Sequence, residues 1–309
     1  MSATLTTRRR PSHLAVVSDS ETKPQQKSPY PINVIACWSG TGSPGRSTVA
    51  INLATELALA GEKVLLMDLD TLSPSLALHL GLVDTPAGLS AVLRLAEQGR
   101  LSYQEFQRLT VTISLGRNEL VLLPGLANPN RWNEVTPERL QTLLTAIAAF
   151  VDHVVLDLPV AVQSQAAMVH PSLAETHRDV LLHDVLAKAS KLILVTGADS
   201  IAAKRFLDAS EVLLESGSTI EPIVVVNRFR TAALGASAKE ELVESFEALA
   251  RLRVDCFIPN EPENFDRCLK NGLPLALLKR SSAARKAFSD IAKMVMLTSR
   301  KSHSVAKLS

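Results

Sequence analysis

Between a β-branched apolar run and a helix-forming one, residues Ile35–Ala50 read IACWSGTGSPGRSTVA. Within them Gly40, Gly45, Arg46 and Ser47 have the spacing G-x-x-x-x-G-[K/R]-[S/T], the pattern of a loop that wraps phosphate groups. Gly40, Gly42 and Gly45 give the backbone freedom to turn its N–H groups inward around phosphate oxygens. The following helix adds the partial positive charge of its N-terminus. Thr41 and Ser43 fill the loop between the glycines, Pro44 stiffens it through its fixed φ, and Thr48 opens the helical run. Arg46 offers a cation, and the Ser47 hydroxyl suits Mg²⁺. An arginine there is not equivalent to a lysine, because its planar fork is bulkier than an ammonium point charge.

Two other segments place carboxylates where such a loop would need them. Val64–Asp70 (VLLMDLD) ends an apolar run in Asp68 and Asp70, and Val154–Pro159 (VVLDLP) ends another in Asp157. Taken alone, the loop could be a glycine-rich strand–helix turn without a ligand. Carboxylates at neighbouring strand tips weigh against that, since phosphate loop and acids together can hold Mg²⁺ and a nucleoside triphosphate.

These groups must be carried by a scaffold, and the pattern from Ile32 onward supplies one. Short apolar runs at Ile32–Trp38, Val64–Met67, Leu120–Leu123, His153–Leu156, Leu192–Thr196, Ile223–Val226 and Val254–Ile258 predict strands. Amphipathic stretches at Thr48–Ala60, Ser73–Leu80, Leu89–Gln98, Pro137–Phe150, Ala202–Glu215, Ala238–Ala250 and Ser282–Thr298 predict helices. The expected fold is α/β, a single doubly wound, mostly parallel sheet of about seven strands with helices on both faces. Its ligand site belongs at the carboxyl ends of the strands. Residues 1–31, rich in Ser, Thr, Pro, Gln and charge, read as a flexible arm, 32–298 as the nucleotide-binding domain, and 299–309 as a basic tail. Val160–Val180 reads as a functional loop or mobile helix.

The segment WSGTGSPGRSTVAINLATELALAGEKVLLMDLDTLSPSLALHLGL resembles the opening of the ParA/MinD group of P-loop ATPases, whose loop reads KGGxGK[S/T] and whose next strand ends in D-x-D. VVLDLP is similar to that group's Walker B strand, VVVNRF to the strand whose Asn contacts adenine, and Ile258-Pro259-Asn260 to its I-P segment. The likeness spans about Ile32 to Leu297, and GLSAVLRLAEQGRL, LPGL and the RW pair look most like actinobacterial CpaE-like or septum-site-determining-type ATPases. The resemblance implies ATP and Mg²⁺ as cofactors. It implies that Gly42, Gly45, Arg46, Ser47 and Thr48 hold phosphates and Mg²⁺, and that Asp68 and Asp70 lie near the γ-phosphate, with Asp70 orienting the attacking water. Asp157 would hold Mg²⁺ through water, while Asn227, Arg228 and the backbone at Pro259 would enclose the base. It further implies an ATP-dependent homodimer with a protein partner in positioning, partitioning, pilus assembly or cell division. Thr41 departs from the family, which has a lysine there that reaches the partner subunit's nucleotide. With Arg46 as the only loop cation, the expectation is slow turnover or binding without turnover. Arg178 and Lys204 are the compensating cations considered. The rival reading is a degenerate adaptor that keeps the fold and works as an interaction module.

Composition limits the remaining options. The chain has 309 residues, 33 basic against 31 acidic, for a net charge of +2. That balance gives no global field calling for nucleic acid or an anionic surface. Three scattered cysteines suit a reducing cytosol and make neither a disulfide framework nor a zinc site. His170, His177 and His183 lack the i, i+4 spacing of a helical metal pair. Arg8–Arg10 has no apolar run behind it, and no stretch reaches the roughly 18 to 20 apolar residues of a membrane span. The end, TSRKSHSVAKLS, is too polar for an amphipathic anchor, and its basic residues would support at most weak non-specific DNA binding. The expected location is cytoplasmic.

Overall fold

Strands covered on both faces carry unbroken apolar runs, because neither side of the pleat meets water. The computed structural model describes residues 28–85, 88–161, 178–230, 237–250 and 252–305. The first half of the chain gives β1 (Asn33–Ser39), α1 (Arg46–Leu59), β2 (Val64–Asp68), α2 (Leu76–His79), α3 (Leu89–Glu97), α4 (Tyr103–Leu109), β3 (Val111–Ser114), β4 (Glu119–Leu123), α5 (Pro137–Ile147) and β5 (His153–Asp157). The second half gives α6 (Asp179–Lys188), β6 (Lys191–Gly197), α7 (Ser200–Glu215), β7 (Ile223–Phe229), α8 (Ala238–Ala250), β8 (Val254–Pro259), α9 (Pro262–Asn271), α10 (Leu275–Leu278) and α11 (Ala283–Val305).

The strands form one eight-stranded sheet, ordered β3-β4-β2-β5-β1-β6-β7-β8. All pairs are parallel except β3–β4. Alternation along β1 divides the interior in two. Val34, Ala36 and Trp38 face a layer built from α3, α5, α6, α7 and α8, whereas Ile35 and Cys37 face α1 and α11. Because β1 lies between β5 and β6, the loop after β1 sits beside the carboxyl ends of both, and β2 lies one strand further along.

The expected architecture holds, with one strand more than expected. β3 reads VTIS, four residues with alternate side chains exposed, at the sheet edge. Its two hydroxyl residues and short length give no apolar run to detect. The helix expected over Ser73–Leu80 is confined to Leu76–His79, since residues 72–75 turn back to hydrogen-bond Asp70 and Asp68. The first helix begins earlier than Thr48, taking Arg46 and Ser47 into its first turn. The last runs to Val305, so much of the expected tail continues it.

Residues 1–27 of the expected arm lie outside the described residues, but its end packs on the domain. Tyr30 is buried in the core, its hydroxyl donating to Asp184 at 3.4 Å, and Ser28 Oγ donates to the Lys188 carbonyl at 2.7 Å. Most of the segment Val160–Val180 also lies outside the described residues, as do His170 and His177.

The layer between α1 and α11 is sealed by Phe288, fully buried and edge-on to Phe265 with ring centroids 6.3 Å apart. Phe288→Ala is expected to lower stability by about 3–5 kcal/mol, read from the urea unfolding midpoint.

Candidate functional site

The loop from β1 to α1 is held from both flanks. On one side Asn227, at the end of β7 and 4 % exposed, donates its Nδ2–H to the Pro44 carbonyl at 2.8 Å and accepts the Arg228 N–H on Oδ1 at 2.9 Å. The approach is so close that a Cβ on Gly45, whose φ is +93°, would collide with the Asn227 amide. Ser43 adopts φ +51°, a left-handed conformation that favours glycine.

On the other side, Arg46 turns inward from the first turn of α1. Its Nε donates to Asp157 Oδ1 and its Nη2 to Asp70 Oδ2, each at 2.6 Å, with Arg46 only 8 % exposed. Ser47 Oγ donates to the remaining Asp157 oxygen at 2.6 Å. Burial pushes the Asp157 carboxyl up, while Arg46 and Ser47 oppose that rise; the two carboxylates in turn hold the Arg46 guanidinium charged.

Asp68 lies beside Asp157 in the β2–β5 register. It accepts the backbone N–H groups of Asp70, Ser75 and Leu76 at 3.1, 2.8 and 2.9 Å, and Asp70 Oδ1 accepts those of Leu72 and Ser73 at 3.0 Å. Burial, reinforced by the Asp157 charge, raises the Asp68 carboxyl to about 7 against these donors.

A pocket of about 270 Å³ opens on the β6–β7 side of the loop, bounded by Gly40, Thr41, Gly42, Pro44, Arg228 and Asn260. Pro259 ends β8, and the Asn260 N–H after it donates to the Phe229 carbonyl at 2.9 Å. The expected loop residues, the three carboxylates and the base-side residues are therefore gathered at one end of the sheet. The two cations considered for compensation are engaged elsewhere. Arg178 lies over the Trp132 ring at 5.3 Å and donates to the Pro129 carbonyl, and Lys204 pairs with Asp208. Arg205 and Arg230, which sequence reasoning passed over, line the pocket instead. Arg205 neighbours Lys204 in the chain, but only the helix phase shows which of the two faces the loop.

Residues 32–106 match the family model described as "ParA: NUBPL iron-transfer P-loop NTPase". A putative septum site-determining protein MinD of Guillardia theta is 27% identical over 259 residues, covering 82% of this chain and 85% of that protein. A ParA family ATPase from Chlorobium tepidum TLS superposes with a TM-score of 0.68 at 20% identity, covering 84% of this chain and 98% of the other. MinD from Pyrococcus horikoshii OT3, solved with Mg-ADP, gives 0.61 at 22% identity, covering 85% and 96%. In sequence and fold the chain is similar to the ParA/MinD group of P-loop NTPases.

Against that group's loop pattern, this chain is marked by Thr41 and Arg46, which leave one cation in the loop. Ser47 and Asp157 place two hard oxygen donors in contact at its edge, a donor set that suits Mg²⁺ completed by phosphate oxygens and water. Among the described residues there is no cluster of three or more His, Cys, Asp or Glu side chains that could hold a metal by itself. Cys37, Cys256 and Cys268 are free thiols, the first and last buried. Among the described residues, no helix is long and apolar enough to cross a membrane.

The raised Asp68 carboxyl has a definite linkage sign. The folded chain binds this proton up to about pH 7, and the unfolded chain only up to about 3.8. The contribution of Asp68 is thus most favourable below the lower value and declines as pH rises to the upper one. In urea unfolding followed between those two values, the ligand-free protein is expected to lose stability relative to Asp68→Asn as pH rises.

Proposed function

We propose that the chain binds ATP with Mg²⁺ at Gly40–Thr48 and acts in the cytoplasm as a nucleotide-controlled switch. Its ATP form would pair with a second copy and engage a protein partner in positioning, partitioning, pilus assembly or cell division. The observation that carries this reading is the direct contact of Arg46 with Asp157 and Asp70, beside Ser47. The phosphate cation, the metal-side carboxylate and the water-side carboxylate form one connected group under the loop.

In this reading the loop N–H groups and Arg46 bind the β- and γ-phosphates, while Ser47 and Asp157 hold Mg²⁺ with Asp68 behind them. Bound there, Mg²⁺ neutralises charge on the phosphate oxygens. Arg46 must exchange carboxylate oxygens for phosphate oxygens, which frees Asp70 Oδ2 to orient water. That exchange and the missing loop lysine make turnover slow. Asn227, occupied with Pro44, sets the loop's position, and Arg228 with the backbone at Pro259 borders the base. Control of a partner follows only if the ATP and ADP forms bind it with different affinity. The CpaE-like subtype is the finer assignment we favour, on the motifs GLSAVLRLAEQGRL and LPGL.

Calorimetry with MgATP and MgADP, combined with sizing in each state, tests the reading. ATP is expected to bind, and Asp70→Ala to bind it without releasing phosphate and to persist as a dimer. Absence of binding at millimolar MgATP overturns the proposal. The double pairing of Arg46 also favours the adaptor reading, so Thr41→Lys with Arg46→Lys decides between them. A large gain in phosphate release marks a handicapped native site; no gain marks a site already supplied with charge.

A further inference from the structure

The loop's lost lysine leaves a deficit of positive charge on the side of Thr41, away from Arg46. That side is where the pocket opens, and three arginines from other elements line it: Arg205 from α7, Arg228 from β7, and Arg230 just beyond. Arg205 comes nearest the loop. Its Cζ and Cδ lie 3.0 and 3.2 Å from where a Cβ on Gly42 would stand, and its Nη1 is nearer still, so the guanidinium rests against the glycine's open face. Gly42 has φ +97° and no side chain, which lets the cation come this close. Arg228 Nη2 lies further off, 4.0 Å from the equivalent point on Gly45.

Among the described residues the Arg205 guanidinium is also uncommitted. The aspartate one turn further along its helix, Asp208, pairs with Lys204. Asp199, the carboxylate that shares the pocket, accepts the Ala202 N–H at 2.8 Å and so caps α7. Among the described residues Arg205 makes neither a salt bridge nor a side-chain hydrogen bond. A guanidinium with no partner among the described residues, laid on a phosphate-type loop in a pocket with two more arginines and one helix-capping aspartate, is set for a polyanion.

We infer that Arg205 supplies from the same chain the phosphate-binding cation that Thr41 cannot provide. Its fork takes the terminal phosphate oxygens of a nucleoside triphosphate from the Gly42 side, while Arg46 takes them from the α1 side. This rests on the nucleotide reading above and adds a residue to it. A lysine at position 41 would reach a second copy's nucleotide; Arg205 neutralises its own, so charge neutralisation in this chain needs no second subunit.

The test is calorimetric titration of MgATP and MgADP into the full chain, with Arg205→Ala, Arg205→Gln and Arg205→Lys. The control is Lys204→Ala, whose side chain is exposed and paired with Asp208. Loss of a charged hydrogen-bond donor is expected to weaken ATP binding by about tenfold or more in the Ala and Gln variants, with a smaller loss for ADP. Arg205→Lys retains most of the affinity, and the control matches wild type. Wild-type affinity in both Arg205→Ala and Arg205→Gln overturns the role of Arg205 and leaves the nucleotide reading standing. Failure of the wild-type chain to bind MgATP overturns both.

Discussion

Arg46 is a buried guanidinium shared by two carboxylates from different strands, and the carboxyl end of the sheet is arranged around it. Removing an ion of this kind from water costs several kcal/mol, recovered only when its donors are matched by acceptors at good geometry. The planar fork meets that condition by addressing Asp157 through Nε and Asp70 through Nη2 at once. A lysine ammonium could satisfy one acid well but has no fixed fork to span both. The arginine thus joins the start of α1 to the ends of β2 and β5, and removing it would leave two buried acids beside a third, Asp68, without a counter-charge.

This arrangement also limits the chemistry. A site whose cation is already engaged by its own acids binds a polyphosphate by exchange, giving up salt bridges as it gains new ones. The loop itself is kept in shape by groups that do not depend on Arg46: the Asn227 amide on Pro44, the positive φ of Gly42 and Gly45, and the left-handed Ser43. Charge on the far side of the loop comes from α7 and β7. The site therefore draws on both halves of the sheet, which meet at β1.

Much of this was legible in the sequence because apolar strands that end in acids are uncommon without a reason. VLLMDLD and VVLDLP place Asp68, Asp70 and Asp157 at strand tips, and the glycine spacing places the phosphate loop against them. The buried parallel strands were legible because their short apolar runs are unbroken by polar residues. Other features depend on contacts between distant segments. Edge strand β3 has no apolar run, and α2 is cut short by hydrogen bonds to Asp68 and Asp70. Tyr30 looks like part of a polar arm until its contact with α6 is seen. Arg205 differs from Lys204 only in the phase of its helix. Spacing identified Arg46 as the loop cation, but its engagement with both acids needed the fold, because its partners are 24 and 111 positions away.

The most direct measurement is a double-mutant cycle between Arg46 and Asp157, using Arg46→Met, Asp157→Asn and the pair, with unfolding free energies from urea titrations of the ligand-free protein. If this buried pair organises the site, the two effects are strongly non-additive, with a coupling of about 1.5–3 kcal/mol and a double variant more stable than the sum of the singles predicts. Additive effects, with a coupling near zero, would contradict the account by showing that the carboxyl ends of the strands are held in place without Arg46.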